Sequence, residues 1–438
     1  MARMFVPLAL CLAALLASTP AFADFESGQK AYKAKQYELA LREFRAAAET
    51  GDARAMAYLG SHYRNGYAVK QDFARAMEWY RKADAKQEPR GTLGIGLLHR
   101  LGQGVPKDER EALRWTRRAA DRGYAPAQHE VARAYSAGRG TKKDEVEALR
   151  WLQLAAAQGE APAIVDVGLA YANGRGVAKD ERAAREWLAK AAAMGDAEGQ
   201  YFYGIVLRDG VGGEADVEEA ARWFTKAADQ RDVDARLALG QMYIKGNGVA
   251  PDPARGISLY RAAAEAGNAE AQLRLGVEYV LGNHVPKSAA QAKPWLRKAA
   301  DQGEARAQFL LSNILTQEAQ ASGSRDYAEA ERLARAAAAQ GNADAEFGLG
   351  GMILGGYIAD PDPLAAGKWF RKAAAQGHPG ARCYVDGGFA REDGNGWEGA
   401  SAAELIKYAA VANSDECREW GMSGSLKVTG RLGPKPKS

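Results

Sequence analysis

GEAPAIVDVGLAYANGRGVAKDERAAREWLAKAAAM, residues Gly159 to Met194, carries the repeating pattern of the chain. Displaced by 36 residues in either direction, it lands on itself. Trp187 falls on Trp79, Trp115 and Trp151 upstream and on Trp223 and Trp295 downstream. Gly168 falls on Gly60, Gly96, Gly204, Gly240 and Gly276, and Tyr171 on Tyr63, Tyr135, Tyr243 and Tyr279. Asp180 falls on Asp72, Asp108, Asp144, Asp216 and Asp252. A period this strict marks small units that cannot bury their apolar faces alone and must stack on their neighbours.

The unit has the chemistry of a helical hairpin. Ala163, Val167, Gly168 and Tyr171 recur at helical spacing and give the first helix a narrow apolar stripe. A glycine inside a helix costs about 1 kcal/mol relative to alanine, so its repetition at Gly168 points to a close approach by the second helix. Asn173, Gly174 and Gly176 end the first helix, and Asp180 caps the second. The spacing of Asp108 to Glu111, Asp144 to Glu147 and Asp216 to Glu219 predicts reciprocal capping boxes. Ala184, Trp187, Leu188 and Ala191 form the inner face of the second helix. The Trp ladder, Trp79, Trp115, Trp151, Trp187, Trp223, Trp295 and Trp369, is expected as core, each indole contributing about 2–3 kcal/mol by burial.

Outward from this unit, nine copies begin at Gly51, Gln87, Gly123, Gly159, Gly195, Arg231, Gly267, Gly303 and Gly341, spanning 51–377. The eighth is irregular: Gln317 to Asp326 replaces the Gly-x-Gly turn and Leu333 stands where Trp is expected. Residues 24–50 read as a shorter N-terminal capping hairpin, 378–421 as a C-terminal capping segment, and 422–438 as a disordered Gly/Pro/Lys-rich tail. Residues 1–23 read as a signal peptide, with basic Arg3, the apolar run Phe5 to Ala17, and the small-x-small site Ala21-Phe22-Ala23. No later stretch approaches the roughly 20 apolar residues of a membrane span. The expectation is an exported chain, periplasmic or secreted after cleavage at about Ala23.

Removing the leader takes the formal charge from +4 to +3, which gives no electrostatic reason to invoke nucleic acid. Two cysteines remain, Cys383 and Cys417; in an oxidising compartment they could form one bridge, and two buried thiols is the equal alternative. The chemistry of catalysis is missing. The Gly-x-Gly turns follow helices rather than strands and lack the Lys-Ser/Thr ending of a phosphate loop. His129-Glu130 resembles the start of a zinc-protease motif, but Arg133 stands where the second His is needed. Ser27-x-x-Lys30 lacks the companion elements of a penicillin-recognising site, and neither cysteine has a neighbouring His. The repeated Asp residues are caps held one hairpin apart, not metal ligands. No catalytic residue, cofactor or metal is therefore expected.

The combined signature is A-x-x-x-L-G-x-x-Y, G-x-G-V-x-x-D and A-x-x-W-x-x-K-A-A-x-x-G, as in Trp187-Leu188-Ala189-Lys190-Ala191-Ala192 and Trp369-Phe370-Arg371-Lys372-Ala373-Ala374. It resembles the Sel-one-like repeat, a longer relative of the tetratricopeptide repeat. The resemblance implies an all-α fold, an α/α solenoid of stacked helical hairpins wound as a right-handed superhelix. Leu259 for Trp and His99 for Tyr depart from the pattern. The resemblance also implies an adaptor that holds protein partners, here in assembly or regulation of a cell-envelope system. The alternative is a polysaccharide- or peptidoglycan-binding accessory protein of envelope biogenesis or exopolysaccharide export.

By the tetratricopeptide analogy the first helices line a concave groove. Its apolar positions include Leu93, Leu97, Leu101, Val165, Leu169, Tyr201, Ile205, Leu237, Leu273 and Phe309. Either they form a partner groove, or winding buries them between repeats. Arg54, Arg64, Arg90, Arg100 and Arg133 give the groove a basic N-terminal end suited to an acidic partner segment.

Overall fold

The computed structural model describes residues 25–358 and 363–386. The proposed signal peptide, Cys417, the end of the C-terminal capping segment and the tail lie outside them. Twenty-one α-helices and no strand occur among the described residues.

The chain divides into two compact units, Met1–Asp216 and Val217–Ser438. The first opens with the pair α1 (Phe25–Lys33) and α2 (Tyr37–Glu49). Hairpins follow in α3 (Ala53–Asn65) with α4 (Phe73–Ala85) and α5 (Pro89–Leu101) with α6 (Glu109–Asp121). Next come α7 (Ala125–Ala137) with α8 (Glu145–Ala157), α9 (Ala161–Asn173) with α10 (Glu181–Ala193), and α11 (Ala197–Asp209). The second unit opens with α12 (Val217–Asp229). It continues with α13 (Val233–Lys245) and α14 (Pro253–Glu265), then α15 (Ala269–Leu281) and α16 (Ala289–Asp301). It ends with α17 (Ala305–Ser322) and α18 (Ala328–Ala339), α19 (Ala343–Leu354) and α20 (Pro363–Ala375), and α21 (Pro379–Asp386). Inside each unit every helix packs on the next in sequence, and first helices of successive repeats also touch, as α3 does α5 and α9 does α11.

The repeated glycine is explained by this packing. A Cβ at Gly168 would lie 2.8 Å from Leu188 Cγ, and one at Gly276 would lie 2.6 Å from Leu296 Cδ2. The second helix thus occupies the space a side chain would need. The turn glycines serve the next level up. Gly140 has φ 70°, and its Cβ would sit 2.2 Å from the Glu109 carbonyl oxygen of the preceding hairpin, so backbone rests on backbone between repeats.

Three local expectations change. In five of the second helices the deepest large side chain is the one after the Trp: Tyr80, Leu188, Phe224, Leu296 and Phe370 are all at most 1% exposed. Of the ladder only Trp151 is buried; Trp79, Trp115, Trp187, Trp223, Trp295 and Trp369 are half-buried. The reason is the glycine slot, which admits the following side chain and leaves the larger indole along the rim. There the cation three residues on covers it, as Lys190 covers Trp187 at 5.1 Å and Lys226 covers Trp223 at 3.6 Å.

The cap residues are where expected, with Asp108 accepting from Arg110 and Glu111 N–H and Asp180 from Ala183 N–H. The reciprocal half of the capping box does not form at Asp108 or Asp144. Asp108 N–H donates to the His99 carbonyl at 3.0 Å and Asp144 N–H to the Tyr135 carbonyl at 3.0 Å, so a stronger backbone partner has taken the donor. Glu147 is used instead by Trp151 Nε1, 2.8 Å away, and by Arg150. In the eighth repeat the segment from Gln317 is not a turn: α17 continues to Ser322, and Gly323 closes it at φ 70°.

Candidate functional site

The groove residues sit on the first helices α3, α5, α7, α9, α11, α13, α15 and α17. Leu93, Leu97, Leu169, Tyr201, Ile205 and Leu237 are half-buried, so the side chains meet neighbouring repeats yet keep an accessible edge. Val165 and Leu273, also expected in the groove, are buried at 1% and 6%. They lie one turn from the first-helix positions that turn inward, and the adjoining hairpin covers them. Leu101, at the end of α5, is open at 53% exposure.

The five arginines do not form one free basic surface. Arg54 bridges Glu26 at 3.1 Å and Asp52 at 2.9 Å while lying over the Phe25 ring. Arg100 and Arg133 converge on one carboxylate, Glu130, at 2.6 and 3.5 Å. Arg64 is hydrogen-bonded to its neighbour Asn65. Arg90 lies between aromatic faces, 4.6 Å from the Tyr58 centroid and 5.7 Å from that of Tyr124. The exposed Arg54–Glu26 pair contributes about 0–1 kcal/mol, so an incoming carboxylate can exchange for it, whereas Arg100 and Glu130 are half-buried. The sequence showed the cations but not the pairs Arg54–Glu26 and Arg100–Glu130, whose carboxylates come from other hairpins.

Two features escaped the sequence reading. One is an aromatic cluster at the N-terminal end, where Tyr37 and Tyr67 stack at 4.3 Å and Tyr32 meets Tyr58 edge-on. Burial and the neighbouring phenols push Tyr32 up to about 12. His62 lies in this cluster, fully buried, with Nδ1 2.8 Å from the Tyr67 carbonyl oxygen. The other is a set of glutamine rungs inside repeats, tying the end of the second helix to the first: Gln158 donates to Gln128, Gln302 to Gln272 and Gln340 to Gln308 at 2.8–3.0 Å. The recurrence of Gln at 158 and 302, preceded by alanine or Ala-Asp, was the available signal.

A cavity of about 380 Å³ opens between α7, α8 and α9, with Arg133, Ser136, Arg139, Glu145, Asp166 and Arg175 among its lining. Asp166 accepts from His129 Nε2 at 2.8 Å. Burial pushes the Glu145 carboxyl up, but hydrogen bonds from Lys143 and Ser136 and the charges of Lys143 and Arg175 hold it below the ordinary range. His129 and Glu130 are thus committed to an aspartate and an arginine. No group of three or more His, Cys, Asp or Glu positioned to hold a metal ion occurs among the described residues. Cys383 is buried in α21 and disulfide-bonded, and its expected partner Cys417 lies outside the described residues.

Helical hairpins stacked in register, with half-buried apolar edges along their first helices, define an α/α repeat protein of the kind that holds other proteins. The chain belongs to the Sel1 repeat family, whose model matches nine times between residues 53 and 378, the copies including 125–160, 161–196 and 197–232. Sel1 repeats generally mediate protein–protein contacts, and the fold is typically a non-catalytic scaffold. A protective antigen of uropathogenic Escherichia coli displaying an SLR fold is similar at 28% identity, with a TM-score of 0.58 over 94% of this chain and 100% of that one. A Sel1 repeat protein from Oxalobacter formigenes is 33% identical, with a TM-score of 0.52 over 66% of this chain and 86% of that one. No curated protein matches the chain. No helix among the described residues is long and apolar enough to cross a membrane.

Proposed function

We propose that the protein is exported and acts in the periplasm as a scaffold that binds another protein, in the assembly or regulation of a cell-envelope system. The observation that carries this is the set of half-buried apolar edges on the first helices, Leu93, Leu97, Leu169 and Ile205, with the exposed, exchangeable Arg54 on α3. Apolar surface left accessible in register along a repeat array fits an extended protein segment. Export rests on the leader-like residues 1–23. The protein reading is preferred to the glycan reading because Tyr201 and Phe309 are half-buried, whereas sugar stacking needs open ring faces. No catalytic role is proposed.

The test is fractionation of a C-terminally tagged chain, followed by purification under native conditions. A mature N-terminus at Asp24 in the periplasmic fraction, with a second protein in stoichiometric amount, is the expected result. An uncleaved chain in the cytoplasm would overturn export, and a chain that purifies alone after cross-linking would overturn the scaffold.

A further inference from the structure

The cavity between α7, α8 and α9 has a twin inside the same chain. Moved back by 36 residues, its positions become those of a second pocket in the same unit, in which Leu97, Arg100, Glu109, Glu130 and Arg139 stand where Arg133, Ser136, Glu145, Asp166 and Arg175 stand in the first. The backbone frame is the same, yet the earlier pocket encloses about 20 Å³ against about 380 Å³. The side chains explain the difference. Arg100 crosses the earlier pocket and closes it by its 2.6 Å bond to Glu130. One repeat later that arginine is Ser136, which folds back to donate to Glu145 at 2.8 Å and leaves the space open. One repeat later again, Phe202 and Val211 take the positions of Asp166 and Arg175 and pack against the core.

What remains around the open pocket is an excess of cations over available anions. Both carboxylates are engaged, Glu145 by Ser136 and by Lys143 at 3.0 Å, and Asp166 by His129. Arg139 Nε, in contrast, is buried with no hydrogen-bond partner, an expensive condition for a charged group. Arg133 stands 3.5 Å from Glu130, which Arg100 already holds more closely. Arg175 completes the rim.

We propose that this pocket binds the carboxylate side chain of a glutamate or aspartate in an extended segment of a protein partner. The proposal rests on the scaffold reading above and adds the chemistry of the anchor. A carboxylate offers the planar pair of acceptors that guanidinium donors match. Its single charge also suits a lining that already carries two carboxylates, which would repel a phosphate dianion. The volume admits the side chain together with flanking backbone.

The experiment titrates the full mature chain at low salt with a capped five-residue glycine peptide bearing one central glutamate, read by NMR. The glutamine isostere and the phosphoserine analogue are run beside it. The glutamate peptide is expected to bind about tenfold or more tightly than the glutamine peptide and more tightly than the phosphoserine one. Ser136→Arg and Arg139→Gln each import the residue that the preceding repeat carries at that position, and both are expected to keep the helical signal and lose that preference. A glutamate peptide no tighter than glutamine, a preference unchanged in both variants, or tighter binding of the phosphoserine peptide would each overturn the proposal. If Ser136→Arg does not fold, Arg139→Gln decides alone. A Ser136→Arg chain that lost the peptide but still retained its periplasmic partner would overturn the anchor while leaving the scaffold reading intact.

Discussion

At the scale of single residues, the position that opens each repeat is held in the left-handed region, at φ 83° in Gly123 and 81° in Gly159. Gln87 and Arg231 occupy the same position at φ 64° and 70° without a glycine's freedom. Left-handed backbone costs a side-chain-bearing residue about 1–2 kcal/mol. Gln87→Gly and Arg231→Gly should therefore each stabilise the protein by about 1 kcal/mol in urea denaturation, and the absence of a gain in both would contradict strain at these positions. His62 makes a pH prediction. Burial holds its imidazole below the ordinary 6.5, the Arg45 charge adds to this, and the bond to the Tyr67 carbonyl opposes it. The unfolded chain takes up a proton near pH 6.5 that the folded one refuses until lower pH. Stability is thus full above pH 6.5 and declines below it, by up to about 1.4 kcal/mol per pH unit, until the folded group titrates. Replacing His62 with Gln should flatten that limb of the stability curve, and an unchanged slope would show that another group carries it.

At the scale of the element, Leu188 fills the slot of Gly168 whereas Trp187 lies along the rim. Leu188→Ala should cost about 3–5 kcal/mol, through lost burial and a cavity, and Trp187→Ala about 2 kcal/mol. Hydrogen exchange should show the damage of either concentrated in α9 and α10 and their immediate neighbours, since coupling in an array runs between adjacent repeats. Uniform weakening across the first unit would contradict this. The same hairpin shows what could be read from sequence. The period of Gly168, Tyr171 and Asp180 revealed the helices, the turn and the close approach, because each is a local requirement repeated in phase. It did not reveal which of two adjacent apolar residues, Trp187 or Leu188, turns inward, since both fit a helical stripe within one residue's rotation. Nor did it reveal the loss of the capping box at Asp144, which depends on the Tyr135 carbonyl lying opposite. Ser136 was legible only by comparison with Arg100 once both were known to share one frame.

At the scale of the whole molecule, repetition supplies the frame, and departures from it distinguish one repeat's surface from the next. Where side chains obey the period they pack, and where they depart, as at Ser136, Arg139 and Leu101, the surface acquires features a partner can recognise. On the scaffold proposal the first helices, not the second, carry the partner surface. Photo-reactive side chains placed singly at Leu97 and Leu169 on first helices, and at exposed Gln153 on the second helix α8, test it directly in intact cells. Leu97 and Leu169 are expected to yield cross-links to one and the same partner protein, and Gln153 none to it. Cross-links to that protein from Gln153 alone, or no adduct from either first-helix position, would contradict it.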